Sequence, residues 1–319
     1  MMQVAVFGIN LEQGHILASE PLIAKIRSFL PHFDIIPLVT CNRFEIYINA
    51  PENGFLHRVF YELLRNDLGS SLLDKSYLYF SYDCFYHLCA TTSGLNSAIF
   101  GESEIQRQVK ISYLNAAKNK LPYCLHFLFQ KALKIGKDIR TSFQLQNKSP
   151  KLAAFIWNEV KLFYKNPSIL FVGNSQINKG VRSFFEKNKL HRNITTATRF
   201  PVAFDRSISF EELCTWSNYD VVVCASKANQ KLIKPLKARK KIFVFDLSSQ
   251  EVVDPKVAES KNVFFWPLHK INSHFSKQKK SYNNDIEKCL NEVSKQVEVQ
   301  KSIFEKKERN RRVFQKKAS

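Results

Sequence analysis

Cys41 stands in the short polar segment TCNR, at 40–43, between the apolar runs DIIPLV and EIYI. Both runs predict strands, so Cys41 falls on a tight connection. Arg43 follows two residues later, and a nearby cation favours the thiolate, which is the nucleophilic form of cysteine. A small, buried structural cysteine is the alternative that spacing leaves open. His87, in a predicted helix, is a second candidate if the fold brings that helix to this turn.

A second candidate site follows the apolar run SILFV. The segment GNSQIN at 173–178 begins where a predicted strand ends and a helix starts, which is where a pyrophosphate binds in dinucleotide folds. Gly173 is the only glycine left of a GxGxxG pattern, because Ser175 and Asn178 occupy the other two positions. Arg199 follows the next predicted strand, and a cation there suits the 2′-phosphate of NADP. The alternatives are an empty structural Rossmann fold and an ordinary exposed arginine.

The elements around Cys41 have the order βαββαβ. Predicted strands are VAVFG, DIIPLV, EIYI and YLYF, and predicted helices are SEPLIAKIRSFL and FLHRVFYELLRNDL. This order indicates a ferredoxin-like α+β domain. The pattern then becomes helical from Asp83 to about Phe143, which predicts helices added to that domain.

The second half of the chain alternates strands with helices. Strands are predicted in SILFVG, NITTAT, DVVVCAS and KIFVFDLSS. The near-continuous apolar runs ILFV, VVVC and IFVF in three of them are typical of strands in a parallel sheet covered on both faces. Helices are predicted at 152–164, near 177–189 and from Asn229. The fold class is therefore α/β, with a Rossmann-type doubly wound sheet following the α+β domain.

Beyond Asn272 the chain is polar and rich in lysine. Apolar residues recur there at mostly helical intervals, which predicts a long exposed helix and offers a seam for dimerisation. These residues are Ile286, Leu290, Val293, Val297 and Ile303.

Composition narrows the class of protein. The 319 residues include 48 Lys and Arg against 28 Asp and Glu, and the net charge of +20 favours a polyanionic partner such as nucleic acid or an anionic membrane. Seven cysteines, an odd number without a CxxC pair, argue against a disulfide framework or a zinc ribbon. Without a signal-peptide pattern or an apolar run of roughly 20 residues, we predict a soluble cytoplasmic protein.

Several segments resemble the glutamyl-tRNA reductase family. They are LVTCNRFEIY at 38–47, FYHLCATTSGLNSAIFGESEIQRQVKISYLNA at 85–116, FVGN at 171–174, ATRF at 197–200 and DLSSQEVVDP at 246–255. They occur in the order of that family and cover about residues 1–270. The resemblance implies a catalytic, glutamyl-tRNA-binding domain at 1–149, an NADPH-binding domain at 150–271, and a reduced, basic helical dimerisation region at 272–319.

The resemblance also implies roles for individual residues. Cys41 matches the catalytic nucleophile and His87 a histidine that the family needs for activity. The implied substrate-binding residues are Thr40, Asn42, Arg43, Ser97, Glu102, Ser103, Glu104 and Gln108. The implied cofactor-binding residues are Gly173, Asn174, Ser175, Gln176, Ile177 and Asn178, beside Arg199. No metal is implied. The sequence departs from the family pattern at Phe44, at Ser103-Glu104 and at Ser175.

The implied activity is NADPH-dependent reduction of glutamyl-tRNA to glutamate-1-semialdehyde through a Cys41 thioester, the first committed step of tetrapyrrole synthesis. The implied partners are glutamyl-tRNA, a second copy of the chain and the downstream aminomutase. Two other functions stay open. One is an NADP-dependent dehydrogenase of a small acidic metabolite with a structural Cys41, and the other is a non-catalytic RNA-binding relative of the reductase.

Overall fold

The computed structural model describes residues 2–11, 19–40, 42–50, 56, 58–62, 65, 75–97, 100–145, 151–199, 206–279 and 282–318. These residues form two compact units. The first contains the described residues of 1–12, 17–149 and 276–319, and the second contains those of 150–275. No helix among the described residues is long and apolar enough to cross a membrane.

The first unit is built on a four-stranded antiparallel sheet. Its strands are β1 (Ala5–Asn10), β2 (Ile35–Val39), β3 (Arg43–Ile48) and β4 (Ser76–Phe80), in the order β2-β3-β1-β4. Helix α1 (Ser19–Phe29) connects β1 to β2, and the described residues between 56 and 65 are helical. The predicted ferredoxin-like order is confirmed.

The two faces of this sheet have different neighbours, because successive strand residues point to opposite sides. On β3, Phe44 and Ile46 pack in one core with Leu22 of α1. The alternate residues Arg43 and Glu45 lie on the other face and are also buried. Two charged side chains are therefore enclosed on the face that the added helices cover.

Three helices cover that second face. They are α2 (Ser81–Thr92), α3 (Glu104–Ala116) and α4 (Tyr123–Ser142), within the segment that the sequence predicted to be helical. Helices α2 and α4 pack closely at Gly136, where a Cβ atom would lie 2.6 Å from Thr92 Oγ1. This packing fixes α2, the helix that carries His87, against the rest of the unit.

The second unit contains a six-stranded parallel sheet. Its strands are β5 (Ser168–Val172), β6 (Asn193–Ala197), β7 (Ser207–Ile208), β8 (Val221–Cys224), β9 (Ile242–Asp246) and β10 (Val263–Pro267). Helix α5 (Leu152–Val160) precedes β5 and α6 (Gln176–Lys187) follows it. The order β7-β6-β5-β8-β9-β10 is that of a Rossmann fold, and it confirms the predicted sheet.

The helix predicted from Asn229 is wrong. The segment between β8 and β9 is irregular, and the N–H groups of Leu232 and Ile233 donate to the carbonyl of Val252. Pro235 lacks a backbone donor and disfavours helical geometry in the residue before it. Short 3₁₀ helices, Glu211–Asn218 and Pro255–Glu259, lie before β8 and β10, and the helix predicted at 152–164 ends at Val160.

Two helices follow β10: α7 (Leu268–Lys279) and α8 (Asn283–Ala318). The apolar face of α8 packs on α2 and α4 of its own chain, so the prediction of an exposed helix is wrong for that face. Among the residues of α8 up to 311, whose burial the structure describes, the buried ones are Cys289, Val293, Val297 and Phe304. Of the residues that we interpreted as a dimer seam, Val293 and Val297 are buried within the chain while Ile303 is exposed, and dimerisation itself stays a prediction.

Phe304 anchors α8, with its ring centroid 5.8 Å from that of Tyr123 and 5.0 Å from that of Phe127. We expect Phe304→Ala to lower the free energy of unfolding by about 3–5 kcal/mol, because it removes a buried aromatic ring, and to expose α8 to limited proteolysis. Ile303→Ala is the control, since Ile303 is 37% exposed. Urea denaturation measures both variants, and equal losses would contradict this packing.

Candidate active site and candidate cofactor turn

The turn between β2 and β3 is held by Thr40. Its Oγ1 accepts hydrogen bonds from the N–H groups of Asn42 and Arg43, both at 3.2 Å, and its own N–H donates to the Arg43 carbonyl at 2.9 Å. The Asn42 carbonyl accepts a further bond from the N–H of Leu11. Cys41, the predicted nucleophile, lies outside the described residues. The residues on both sides of Cys41 are held by these hydrogen bonds.

Arg43 points into the core and is only 3% exposed. Its Nη1 donates to Glu45 Oε1 at 3.0 Å and to Thr91 Oγ1 at 2.9 Å, and its Nη2 donates to the Asn96 carbonyl at 2.8 Å. Burial lowers the pKa of Arg43, but the charge and hydrogen bond of Glu45, together with the nearby Tyr77 and Tyr47 side chains, more than offset that effect and raise it. The guanidinium is therefore charged, and its carboxylate partner is a residue of the same strand.

Glu45 is completely buried, and its carboxylate accepts four hydrogen bonds. Three donors meet at Oε1, namely Arg43, His87 Nε2 at 2.9 Å and the Tyr77 hydroxyl at 2.6 Å, while the Tyr47 hydroxyl donates to Oε2 at 2.7 Å. Burial raises the pKa of Glu45, but the Arg43 charge and these hydrogen bonds hold it well below its usual range. We call these five residues the Glu45 network.

His87 is oriented by this network. An ionised carboxylate only accepts hydrogen bonds, so the Nε2 atom that faces Glu45 must carry a proton. The ring also lies 5.1 Å, between centroids, from the rings of Tyr77 and Tyr79. Because Nε2 donates to Glu45 and the two tyrosine rings lie against the imidazole, Nδ1 is the nitrogen of His87 that is left for other contacts.

The loop between α2 and α3 carries two more of the predicted substrate residues. The Ser97 hydroxyl is hydrogen-bonded to the Glu102 carboxylate, and burial raises the pKa of Glu102. The Gly101 N–H donates to the Gly94 carbonyl at 3.0 Å, and Arg140 Nη1 donates to the Gly101 carbonyl at 2.9 Å. Hydrogen bonds therefore hold the loop together and connect it to α4.

The remaining predicted substrate residues lie around the first turns of α3. Ser103 is exposed and its side chain does not cap the helix, while Gln108 is half-buried. Glu104 forms a surface ion pair with Arg107, whose Nε donates to Glu104 Oε2 at 2.9 Å. The predicted set therefore divides into a buried group and a surface group.

Sequence reasoning missed Glu45, Tyr47 and Tyr77. The available signal was an acidic residue inside the apolar strand RFEIYI, two positions from Arg43 and therefore on the same face. The hydrogen bond from Tyr77 could not be predicted from the sequence pattern, because it depends on the pairing of β4 with β1.

In the second unit, the turn after β5 has the geometry of a dinucleotide fold. Gly173 has φ +94°, and a Cβ atom there would lie 2.5 Å from the Ala225 carbonyl oxygen, so the turn requires glycine. Asn178 Nδ2 donates to the carbonyls of Val172, at 3.0 Å, and Gly173, at 2.7 Å. Its Oδ1 is buried with no hydrogen-bond partner among the described residues. Asn178 thus ties α6 to the end of β5.

The N-terminus of α6 fits a pyrophosphate. The Ser175 side chain caps the helix by accepting from the Asn178 N–H at 3.1 Å. The N–H groups of Gln176 and Ile177 have no partner within the described part of the chain, and Asn174 immediately precedes the cap. Free N–H groups and the helix dipole favour an anion at this position.

Arg199 lies at the same edge of the sheet. Val172 pairs in parallel with Ala197, so Arg199 follows β6 where Gly173 follows β5. Arg199 is exposed, and the adjacent Thr198 has a buried Oγ1 without a hydrogen-bond partner in the described residues. A phosphorylated dinucleotide would fit this edge of the sheet, because the edge offers the turn at Gly173, the unsatisfied hydroxyl of Thr198 and the cation of Arg199. The described residues contain no group of three His, Cys, Asp or Glu side chains suited to a metal.

We expect Glu45→Gln to lower the free energy of unfolding by about 3–5 kcal/mol near neutral pH, because the Arg43 charge stays buried without its partner. The folded-state pKa of Glu45 lies below its usual value of 4.5. Its stabilisation is therefore complete above that value and declines as the pH falls toward the folded-state pKa. Urea denaturation should show a difference from the wild type that shrinks in acid.

The control is Glu298→Gln, which removes an exposed partner of Lys301 and should change the free energy of unfolding by less than about 1 kcal/mol. A Glu45→Gln penalty that stays constant into strong acid would show that the carboxylate charge does not support the fold.

Comparisons with known proteins connect this chain to one family. Residues 16–143 match the family model described as "Glutamyl-tRNAGlu reductase, N-terminal domain". The glutamyl-tRNA reductase of Chlamydia pneumoniae is 33% identical over 270 residues, which cover 77% of this chain and 77% of the relative. That of Chlamydia trachomatis serovar L2 is 32% identical over 292 residues, covering 88% and 84%.

The solved structure of the glutamyl-tRNA reductase from Methanopyrus kandleri has the same fold. It aligns with a TM-score of 0.50 and 21% identity, over 98% of this chain and 82% of that one. The identity and coverage of the Chlamydia relatives show that the chain belongs to the glutamyl-tRNA reductase family.

Proposed function

We propose that this protein is an active glutamyl-tRNA reductase, which uses NADPH to reduce glutamyl-tRNA to glutamate-1-semialdehyde. The observation that carries the proposal is the Glu45 network. It begins at Arg43, in the turn that includes Cys41, and it orients His87 from α2. A buried ionic network next to a candidate nucleophile is typical of a catalytic centre rather than of a simple binding surface.

In the proposed reaction, the Cys41 thiolate attacks the ester carbonyl carbon that joins glutamate to the 3′ end of the tRNA. The carbon–sulfur bond forms, the carbon–oxygen bond to the ribose breaks, and the leaving oxygen takes a proton. The products of this step are a glutamyl thioester on Cys41 and free tRNA. The cationic surface of the protein supports the tRNA partner, since a net charge of +20 attracts phosphates.

We assign His87 to the proton transfer. Glu45 holds Nε2 in the core, so Nδ1 is the atom of His87 that can hydrogen-bond to the reacting ester. Arg43 supports the site from within the core, because its guanidinium is already bonded to Glu45. We therefore assign Arg43 to positioning, in place of the substrate binding that the resemblance implies.

The proposed substrate contacts are Thr40 and Asn42 beside the nucleophile and Ser97 and Glu102 in the α2–α3 loop. Burial raises the pKa of Glu102, and its carboxylate is hydrogen-bonded to the Ser97 hydroxyl, so these two side chains form one polar group in the loop.

Residues 173–178 and Arg199 would hold NADPH, through N–H groups on the pyrophosphate and a guanidinium on the 2′-phosphate. When bound, NADPH supplies the hydride that converts the thioester to the aldehyde. Ser175, at the second glycine position of the pattern, serves as the cap of α6.

Cys41→Ser should abolish semialdehyde formation, because a serine hydroxyl is a far weaker nucleophile than a thiolate at neutral pH. Binding of glutamyl-tRNA should remain within about twofold of the wild type. Incubation with glutamyl-tRNA and NADPH, followed by detection of the semialdehyde, measures the effect. Cys214→Ser, at an exposed cysteine, is the control and should keep full activity. Near-normal turnover by Cys41→Ser would remove Cys41 from the mechanism.

Arg199→Ala should weaken NADPH binding by about tenfold to a hundredfold, the value of a hydrogen bond to a charged group, and should leave NADH binding nearly unchanged. Arg192→Ala is a matched control, because Arg192 is an exposed arginine just before β6 and Arg199 comes just after it. Fluorescence titration with both nucleotides tests this. Equal losses for NADPH and NADH would show that Arg199 does not read the 2′-phosphate.

A further inference from the structure

Three adjacent strands meet at Gly8, in the middle of the Glu45 network. Gly8 on β1 pairs with Glu45 on β3 on one side and with Tyr77 on β4 on the other. Paired residues of neighbouring strands share a face of the sheet. Glu45 and Tyr77 thus lie on the face that α2 covers, separated by a strand position without a side chain.

Tyr77 occupies the space above Gly8. A Cβ atom at position 8 would lie 2.3 Å from Cε2 and Cζ of the Tyr77 ring and 2.5 Å from its hydroxyl oxygen. These separations are far shorter than any carbon contact allows, so even alanine would displace the ring. Because position 8 is glycine, the phenol crosses β1 and donates its 2.6 Å hydrogen bond to Glu45 Oε1.

Tyr77 contacts both the carboxylate and the imidazole that this carboxylate orients. The oxygen that accepts from Tyr77 also accepts from His87 Nε2 at 2.9 Å, and the Tyr77 and His87 rings are 5.1 Å apart between centroids. Burial raises the pKa of Tyr77 far above its usual value, so the phenol stays protonated and remains a donor.

We propose that Gly8 and Tyr77 are positioning residues of the reductase site. The gap at Gly8 admits the Tyr77 phenol, and the phenol fixes the Glu45 carboxylate and the His87 ring in the orientation that leaves Nδ1 toward the reacting ester. The catalytic consequence rests on the proposed function, whereas the structural consequence does not.

Two substitutions distinguish the effect of the Tyr77 hydroxyl from the effect of the position of the Tyr77 ring. Tyr77→Phe keeps the ring and removes only its hydrogen bond to Glu45, and we expect kcat to fall roughly tenfold, the value of one hydrogen bond to a charged group, with KM within about twofold. Gly8→Ala displaces the ring and should lower kcat further. Tyr86→Phe, which removes a hydroxyl next to His87 in sequence but outside the Glu45 network, is the control and should keep the wild-type kcat.

A second measurement is independent of the reaction. The Nε2 proton of His87, bonded to Glu45, should give a slowly exchanging imidazole N–H resonance in ¹⁵N-histidine-labelled protein, assigned with His87→Asn. We expect this resonance to broaden or disappear in Tyr77→Phe and Gly8→Ala and to persist in Tyr86→Phe.

The double variant tests whether Gly8 acts through Tyr77. Gly8→Ala should lower the urea midpoint of the wild type but should cause no further loss in a Tyr77→Ala background, where the new methyl group has room. A full Gly8→Ala loss in that background would overturn the proposal. So would an unchanged resonance and kcat in Tyr77→Phe. If the wild type forms no semialdehyde but its resonance responds as expected, the proposed function fails and the positioning role stands.

Discussion

The ionised carboxylate of Glu45 is the group on which the geometry of the candidate site depends. A buried charge is costly unless it is paired and hydrogen-bonded, and here the cost is offset by Arg43, His87, Tyr47 and Tyr77. These donors come from β3, from β4 and from α2. The carboxylate therefore joins the sheet to the helix above it, and the strand that begins beside Cys41 becomes part of a rigid polar core.

The second unit contributes a different kind of constraint. Gly173 is required by the close approach of the Ala225 carbonyl, and Asn178 holds the helix to the strand through two backbone carbonyls. The turn is thus stabilised by the fold itself, which explains how its shape persists with only one glycine of the GxGxxG pattern. Each unit carries residues for one part of the proposed chemistry: the Glu45 network and the residues beside Cys41 in the first, and the turn at Gly173 with Arg199 in the second.

The sequence predicted both sheets, because alternation and apolar runs report directly on burial. It failed where tertiary contacts decide the outcome. The helix expected from Asn229 is replaced by an irregular segment, in which the N–H of Leu232 donates to the Val252 carbonyl. Pro235 in this segment interrupts helical geometry. For the candidate site, residue type and resemblance led to Cys41 and His87, whose roles stay predictions. The Glu45 network could not be predicted, because it depends on strand register, which one sequence does not reveal.

The proposed reaction requires Cys41 to accept the glutamyl group from tRNA. To test this step, the protein is incubated with labelled glutamyl-tRNA without NADPH and quenched in acid, and the label is located by peptide mass spectrometry. We expect one glutamyl thioester, on Cys41, released by hydroxylamine. Label on another residue, or none while glutamyl-tRNA binds, would rule out this role of Cys41.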